Sequence, residues 1–353
     1  MTEAELLSLL KNVAYPGFSR DIVSFGLVQK ASFSEGKASV VLEVSSGDST
    51  LPLTIKQAAE KELLKHSGVE EAEVVVRTKG DGQKAQSIST SEANLAGVKR
   101  ILAIASGKGG VGKSTLTANL ACALARSKNM DGKTLKVGVM DCDLYGPSIP
   151  LLLGASDRPE LVGDNILAPV ESYDVKCISM GLLIDEESPV VWRGPMIMKT
   201  IQQFAENVKW GELDYLLIDL PPGTGDAQLS LAQVLPLDGA LIITTPQKAA
   251  VDVARRGARM FEKVNVPLVG VVENMSYLVE PSSGERRYLF GQGGGSTTAH
   301  ALKVPFLGEV PLDEEVRMGG DHGTPVVLVN QENPSSRAFS EISQKILEIL
   351  PAD

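Results

Sequence analysis

The sequence contains few cysteines and no long apolar run. Its three cysteines, Cys122, Cys142 and Cys177, are far apart and form no C-x-x-C pair, so neither a disulfide framework nor a zinc finger is indicated. No apolar run approaches the ~20 residues of a membrane-spanning helix. The N-terminus, M-T-E-A-E, lacks the basic and apolar regions of a signal peptide. We therefore expect a cytoplasmic protein without a membrane partner.

Positive charge is also scarce. The 34 basic residues are outnumbered by 44 acidic ones, which gives a formal net charge of −10. A protein that coats nucleic acid through bulk electrostatics needs the opposite balance, so we expect no nucleic-acid partner. The chain has 353 residues, 43% hydrophobic and 22% charged. Those values are typical of a folded protein with room for two domains.

A glycine-rich turn joins a β-type apolar run to helix-forming sequence in residues 101–116. Gly107, Gly112, Lys113 and Ser114 match G-x-x-x-x-G-K-[ST], in which the glycines let backbone N–H groups curl around phosphate oxygens. Lys113 is predicted to reach the β- and γ-phosphates, and Ser114 to ligate Mg²⁺. The predicted nucleotide-binding residues of this turn are Gly107, Lys108, Gly109, Gly110, Val111, Gly112, Lys113, Ser114 and Thr115.

Two later strands are predicted to end in acidic residues. Leu135–Met140 leads into Asp141-Cys142-Asp143, and a buried run from Tyr215 leads into Asp219, followed by P-P-G-T-G-D. The carboxyl ends of parallel strands share one edge of a sheet, where carboxylates can meet a bound metal. We predict Asp141 and Asp219 as magnesium ligands beside Ser114, and the glycine-rich loop after Asp219 as a nucleotide-responsive segment.

The remaining patterns predict two domains and a linker. A small α+β domain is predicted over residues 1–80. It comprises a helix over 2–12 with a capping box at Thr2 and Glu5, strands over 22–33, 38–44 and 73–78, and a helix over 53–66. Residues 81–97 are polar and poor in apolar residues, which predicts a flexible linker. Residues 98–353 alternate strands with helices, including strands 239–244 and 268–273, which predicts a doubly wound, mostly parallel α/β sheet of the P-loop NTPase class.

A final helix is predicted over residues 335–350. Phe339, Ile342, Ile346 and Ile349 recur at helical intervals, and the charges on the other face cancel. A membrane-targeting helix needs a basic polar face. We therefore expect this helix to close the core of the larger domain.

The turn has a second lysine, Lys108, in K-G-G-V-G-K-S-T. It resembles the deviant Walker A loop of partition, division-site, nitrogenase-iron-protein and Mrp/ApbC ATPases. Five further motifs complete a resemblance to the Mrp/ApbC family: D-C-D-L-Y-G-P-S (141–148), W-R-G-P-M (192–196), D-L-P-P-G-T-G-D (219–226), T-T-P-Q (244–247) and V-E-N-M-S-Y (272–277). Of these, W-R-G-P-M, P-P-G-T-G-D and E-N-M-S are the most specific to the cluster carriers. Residues 15–28 also resemble the small iron–sulfur-assembly domain of this family, although Tyr15 replaces its usual acidic residue; a generic packing domain is the alternative.

The resemblance implies an ATPase that carries iron–sulfur clusters to apoprotein clients, works with assembly factors and hydrolyses ATP slowly when isolated. It implies a homodimer with two catalytic lysines. Lys108 contacts the nucleotide bound by the partner subunit, and Lys113 contacts the nucleotide bound by its own subunit. Asp143 is implied to orient the attacking water, and Asn274 to bind the adenine edge. Alternatively, Asp143 caps a turn and Asn274 caps the end of a strand.

The chain departs from the family after Tyr277. Family members commonly continue with a C-P-x-C pair that bridges a 4Fe-4S cluster across the dimer, whereas this chain has Glu280 and Ser283 at those positions. Oxygen donors of this kind are poor ligands for such clusters. Among the remaining thiols we expect Cys122 and Cys177 to be buried and Cys142 to be exposed. A nucleotide-switched positioning or partition-type ATPase that binds a surface or partner is the alternative function.

Overall fold

The computed structural model describes residues 2–13, 22–23, 27–34, 36–44, 51–66, 68–69, 71–78, 95–129, 131–143, 146–163, 166–183, 194–223, 225–280 and 282–352. Tyr15, residues 192 and 193 of the W-R-G-P-M motif, and most of the predicted linker lie outside these ranges. The chain divides into two compact units, residues 1–88 and 89–353.

The small unit has the predicted order of elements. Its helices and strands are α1 (Glu3–Leu10), β1 (Val28–Ser34), β2 (Lys37–Val44), α2 (Leu51–Leu63) and β3 (Glu71–Thr78). The sheet order is β1-β2-β3, with β1 antiparallel and β3 parallel to β2. The predicted capping box is present, since the Thr2 hydroxyl accepts from the Glu5 N–H and the Glu5 carboxylate accepts from the Thr2 N–H.

The first strand begins later than predicted. The sequence placed its start at Ile22, whereas β1 begins at Val28. Ile22 is fully buried, but its N–H and its carbonyl form hydrogen bonds with Val13 and Leu27 and not with a neighbouring strand. An apolar residue can therefore belong to the core of this unit without belonging to its sheet.

The large unit is an α/β fold built on one large sheet. Its main elements are β4 (Val98–Ser106), α3 (Lys113–Arg126), β5 (Val137–Asp141), α4 (Ile149–Leu152), β6 (Leu161–Gly163), β7 (Ile166–Leu167), β8 (Val170–Ser172), β9 (Val175–Ile178), α5 (Gly194–Asn207), β10 (Leu213–Asp219), α6 (Asp226–Val234), β11 (Gly239–Thr244), α7 (Lys248–Lys263), β12 (Leu268–Glu273), β13 (Leu278–Val279), β14 (Arg286–Arg287), α8 (Gly294–Leu302), β15 (Phe306–Glu309), α9 (Glu314–His322), α10 (Val326–Val329) and α11 (Pro334–Ile349).

The large sheet has the order β15-β12-β11-β4-β10-β5-β9-β8. All its strands run parallel except β8, which is antiparallel to β9. After β4 the chain goes to one side of the sheet, and after β10 it continues on the other side. In such sheets ligands bind at the carboxyl edge where the order reverses, and the glycine-rich turn leaves β4 at that point. The predicted doubly wound fold is confirmed.

Helices cover both faces of the sheet because the central strand is apolar on both. In β4, Leu102 and Ile104 face a core that includes α3 and α11, whereas Ile101, Ala103 and Ala105 face a core that includes α5, α6, α7 and α8. All five residues are at most 3% exposed. A near-continuous buried run of this kind is typical of a parallel strand with two covered faces.

The last helix, α11, contributes three of its four predicted core residues. Phe339, Ile342 and Ile346 are at most 1% exposed, whereas Ile349 is 42% exposed. The prediction for Ile349 is wrong because it is the last helical residue, beyond the part of the helix that packs on the sheet. Among the described residues, no helix is long and apolar enough to cross a bilayer.

The two isoleucines of α11 provide a matched stability test. Ile346→Ala is expected to lower the free energy of unfolding by about 2–5 kcal/mol, because it removes buried methyl groups and leaves a cavity. Ile349→Ala makes the same chemical change at an exposed position and should cost about 0.5 kcal/mol or less. Urea unfolding followed by tryptophan fluorescence reports on the large unit, which holds both tryptophans. Equal costs at the two positions would contradict this packing.

Candidate functional site

The glycine-rich turn has a shape that side chains at its glycines would disrupt. Gly110 and Gly112 have φ angles of +77° and +75°, in the left-handed region that favours glycine. A Cβ at Gly107 would lie 2.5 Å from the backbone of Val253 in α7. Gly112 precedes α3, and no side chain caps the N–H groups of its first turn. This combination of an open turn and free N–H groups suits a phosphate.

Asp219, at the end of β10, is the centre of the site. Its Oδ2 accepts hydrogen bonds from Lys113 Nζ and from Ser114 Oγ, each at 2.6 Å. Its Oδ1 accepts from Thr117 Oγ1 at 2.7 Å. Lys113 and Asp219 are 6% and 0% exposed, so they form a buried ion pair. The structure thus brings together Lys113, Ser114 and Asp219, which the sequence predicted separately.

Asp141 lies beside Asp219 but is held by a different set of donors. The two residues are directly paired across β5 and β10. Asp141 accepts hydrogen bonds from the N–H groups of Asp143 and Ile149 and from the Ser179 hydroxyl. Burial, and then the charge of Asp219, raise the pKa of the Asp141 carboxyl. Its role as a magnesium ligand stays a prediction.

Asp143 follows the strand end and is half-buried. One of its carboxylate oxygens accepts a hydrogen bond from the Gly146 N–H at 3.3 Å. The intervening residues 144 and 145 lie outside the described part of the chain. This contact is compatible with the turn-capping alternative, and the water-orienting role stays a prediction.

Asn274 packs against the glycine-rich turn. Its Nδ2 donates to the carbonyl oxygen of Val111 at 2.8 Å, and its side chain is 7% exposed. A Cβ at Gly112 would lie 2.4 Å from that nitrogen, which gives Gly112 a second reason to lack a side chain. Asn274 thus braces the turn from the end of β12. Its contact with an adenine base stays a prediction.

Lys108 is exposed at the rim of the turn, together with Gly109 and Gly110. Its carbonyl oxygen accepts from the Ser106 hydroxyl at 3.1 Å, which fixes the backbone. Within the described residues its ammonium group has no ion-pair partner. An exposed cation on a fixed backbone is free to contact a second molecule.

The three cysteines are all buried, which corrects the expectation for Cys142. Cys122 and Cys177 lie in the core as predicted, but Cys142 is 0% exposed. The Cys142 N–H donates a hydrogen bond to the Asp219 carbonyl, so the pairing of β5 with β10 continues one residue beyond Asp141. This pairing places the Cys142 thiol in the core. Burial, and then the charges of Asp141 and Asp219, raise the pKa of the Cys142 thiol well above its ordinary value.

The segment where the resemblance implied a cysteine pair is a small hairpin formed by β13 and β14. Glu280 forms an ion pair with Arg287 at 3.2 Å, and Ser283 Oγ accepts from the Glu285 N–H at 3.3 Å. Arg286 lies 4.1 Å from the centre of the Tyr277 ring. The described residues contain no group of three or more His, Cys, Asp or Glu that could hold a metal ion. The hairpin does not fit a 4Fe-4S cluster.

Thr117 and Ser179 belong to the site although the sequence analysis missed them. Thr117 lies one helical turn after Lys113, and this spacing places both side chains on the face of α3 towards Asp219. That spacing could have identified Thr117. Ser179 comes from the end of β9, and only the pairing of β9 with β5 brings it to Asp141. No local pattern could have identified it.

The donors around Asp219 fit magnesium and a nucleoside triphosphate. A hydroxyl and a carboxylate 2.6 Å apart are hard oxygen ligands, and Mg²⁺ is commonly bound by one or two such groups together with phosphate and water. Ser114 and Asp219 would hold the ion. The turn at residues 107–112 and Lys113 would hold the phosphates.

Two family models match this chain. One, described as NUBPL iron-transfer P-loop NTPase, matches residues 97–347. The other, described as iron–sulfur cluster assembly protein, matches residues 3–76.

Individual relatives agree with both matches. The chain is 41% identical to the iron–sulfur cluster carrier protein of Synechocystis over 98% of this chain and 97% of that protein. A nucleotide-binding protein from Archaeoglobus fulgidus, solved with ADP, is 38% identical, with a TM-score of 0.61 over 71% of this chain and 96% of that one. The cell division ATPase MinD of Pyrococcus furiosus is 25% identical, with a TM-score of 0.52 over 71% of this chain and 99% of that one. The chain therefore belongs to the NUBPL iron-transfer P-loop NTPase family, and its resemblance to the Mrp/ApbC cluster carriers is confirmed.

Proposed function

We propose that this protein hydrolyses ATP and uses the cycle to carry iron–sulfur clusters to apoproteins. The observation that carries the proposal is the convergence of Lys113 and Ser114 on Asp219 at the foot of the glycine-rich turn. This arrangement supports binding of a triphosphate with its metal ion. The names of the relatives support iron–sulfur clusters as the cargo.

The residues of the site would divide the work of phosphoryl transfer. The N–H groups of the turn and the Lys113 ammonium hold the β- and γ-phosphates and stabilise the charge that develops on them. Asp143 orients a water molecule, whose oxygen bonds to the γ-phosphorus as the bond to the bridging oxygen breaks. The products are ADP and inorganic phosphate, and the proton lost by the water passes to a phosphate oxygen or to solvent. Ser114 and Asp219 would hold Mg²⁺, which would supply further charge neutralisation when bound. Asn274 selects adenine at the other end of the nucleotide.

Lys108 would complete the site of a second copy of the chain. Its exposure and its fixed backbone support a role across a homodimer, where its ammonium contacts the partner's transferring phosphate. A site that lacks this cation until two copies meet would turn over slowly when the protein is dilute. This accounts for the expected slow hydrolysis of the isolated protein.

The cargo would be held with the help of a partner. The three thiols are buried, and Glu280 and Ser283 stand at the hairpin. Clusters of this type usually need four thiolate ligands, which this chain does not present on its described surface. A client or an assembly factor would therefore supply ligands while this chain supplies the nucleotide-dependent step.

Lys113→Ala is expected to lower ATP turnover by about 10²–10³-fold, because the variant loses the cation that stabilises the transferring phosphate. Turnover is measured as phosphate release, and nucleotide affinity by titration with a fluorescent ATP analogue. Lys128→Ala, an exposed lysine just beyond the end of the same helix, is the control and should behave as wild type. A folded Lys113→Ala protein that hydrolyses ATP at the wild-type rate would place the site elsewhere.

Lys108→Ala should keep ATP binding by the monomer but lose ATP-dependent association and about 10²-fold of turnover, because the charge supplied across the dimer is removed. Sedimentation velocity with a non-hydrolysable analogue measures association. The exposed Lys133 provides the matched control, Lys133→Ala. Normal dimerisation combined with normal turnover in Lys108→Ala would rule out the shared site.

Anaerobic reconstitution with iron and sulfide tests the cargo. The protein alone is expected to retain little cluster through gel filtration, because the hairpin offers no thiolate. A variant with both Glu280→Cys and Ser283→Cys restores the missing pair and should retain much more iron and sulfide. Near-stoichiometric 4Fe-4S on the unmodified protein after gel filtration would show that this chain has ligands of its own.

A further inference from the structure

Gln228 is a buried polar side chain that the proposed mechanism does not use. It lies in the first turn of α6 and is 2% exposed. Its Nε2 donates to the carbonyl oxygen of Pro221 at 2.5 Å and to that of Ser106 at 3.4 Å. Ser106 ends β4, just before the glycine-rich turn, and Pro221 belongs to the loop after Asp219. One amide group therefore contacts both segments of the nucleotide site.

The two segments also contact each other at this point. The Ser106 carbonyl accepts a second hydrogen bond, from the Gly223 N–H at 3.1 Å, and the Ser106 hydroxyl donates to the Lys108 carbonyl at 3.1 Å. A Cβ placed on Gly109 would lie 3.8 Å from Pro222. The loop over residues 221–223 thus lies against the glycine-rich turn, and Gln228 ties the two together.

The chemistry of the contact fixes which way the amide points. Both of its partners are carbonyl oxygens, so only the NH₂ group can face them. Among the described residues, Gln228 Oε1 then has no donor although it is buried. Burying an amide oxygen without a donor is unfavourable, and an apolar side chain of the same size would avoid that cost. Packing alone therefore does not explain a glutamine at this position.

We propose that Gln228 is a positioning residue for phosphoryl transfer. It holds residues 221–223 against the end of β4, which keeps Asp219 and the glycine-rich turn in register around the transferring phosphate. The inference rests on the proposed ATP hydrolysis. Because Gln228 acts through Pro221 and Ser106, its loss should lower turnover. Nucleotide affinity should change little, because it depends on the glycine-rich turn and Lys113.

The test compares Gln228→Met with Gln233→Met. Methionine keeps the length of glutamine but has no N–H, and Gln233 is exposed on the same helix. Gln228→Met should lower kcat about tenfold to a hundredfold, since small misplacements in an active site have effects of that size. Its KM and its dissociation constant for ADP should stay within about threefold of wild type. Gln233→Met should match wild type throughout.

Hydrogen exchange gives a second readout that does not depend on turnover. A peptide covering residues 219–223 should exchange faster in Gln228→Met, whereas peptides from α3 should not change. If the wild-type protein does not hydrolyse ATP, the proposed function fails. Hydrogen exchange of residues 219–223 with and without ADP then still tests whether Gln228 holds this loop.

Two outcomes overturn the inference. One is unchanged kcat and unchanged exchange in Gln228→Met. The other is a parallel loss of affinity, thermal stability and turnover, which indicates general damage to the fold. If Gln228→Met does not fold, Gln228→Glu provides the same comparison, because its carboxyl group has the size of the amide and at most one hydrogen to donate.

Discussion

The nucleotide site depends on one buried ion pair, between Lys113 and Asp219. The lysine comes from the first turn of α3 and the aspartate from the end of β10, and neither side chain is more than 6% exposed. Removing one partner of such a pair leaves an uncompensated buried charge and typically costs about 3–5 kcal/mol. Ser114 and Thr117 add two hydrogen bonds to the same carboxylate. The geometry of the site and the stability of the surrounding fold therefore share one interaction, so mutations here need a measurement of folding as well as of activity.

The features that the sequence predicted correctly are those with a local signal. The glycine-rich turn, the apolar strands and the capping box at Thr2 and Glu5 each follow from short-range patterns, and all are present. The errors arose where tertiary structure decides. Cys142 is buried because the ladder continues for one residue beyond Asp141, and Ile349 is exposed because α11 ends there. The sequence does not show where a strand pair or a packed face stops.

The hairpin over residues 278–287 illustrates how a departure from a family pattern is accommodated structurally. The ion pair between Glu280 and Arg287 and the contact of Arg286 with the Tyr277 ring stabilise the segment with side chains that need no metal. Arg286 also approaches Glu309 at 3.4 Å, which connects the hairpin to β15. The hairpin is therefore folded by its own contacts, and a cluster is not required to order it. Under the proposed function, delivery of clusters would then depend on ligands that a client or an assembly factor supplies.

The burial of all three thiols has a practical consequence for the chemistry of this protein in air. Alkylating and oxidising reagents react with the thiolate, and burial raises the pKa of Cys122 and of Cys177 to about 12. In the folded protein, almost none of these cysteines is present as thiolate at neutral pH, so peroxide and alkylating agents react with them only slowly. Each thiol becomes reactive only when its own part of the core opens. The cysteines are thus built-in reporters of local unfolding, and Cys122 reports on the helix that follows the nucleotide turn.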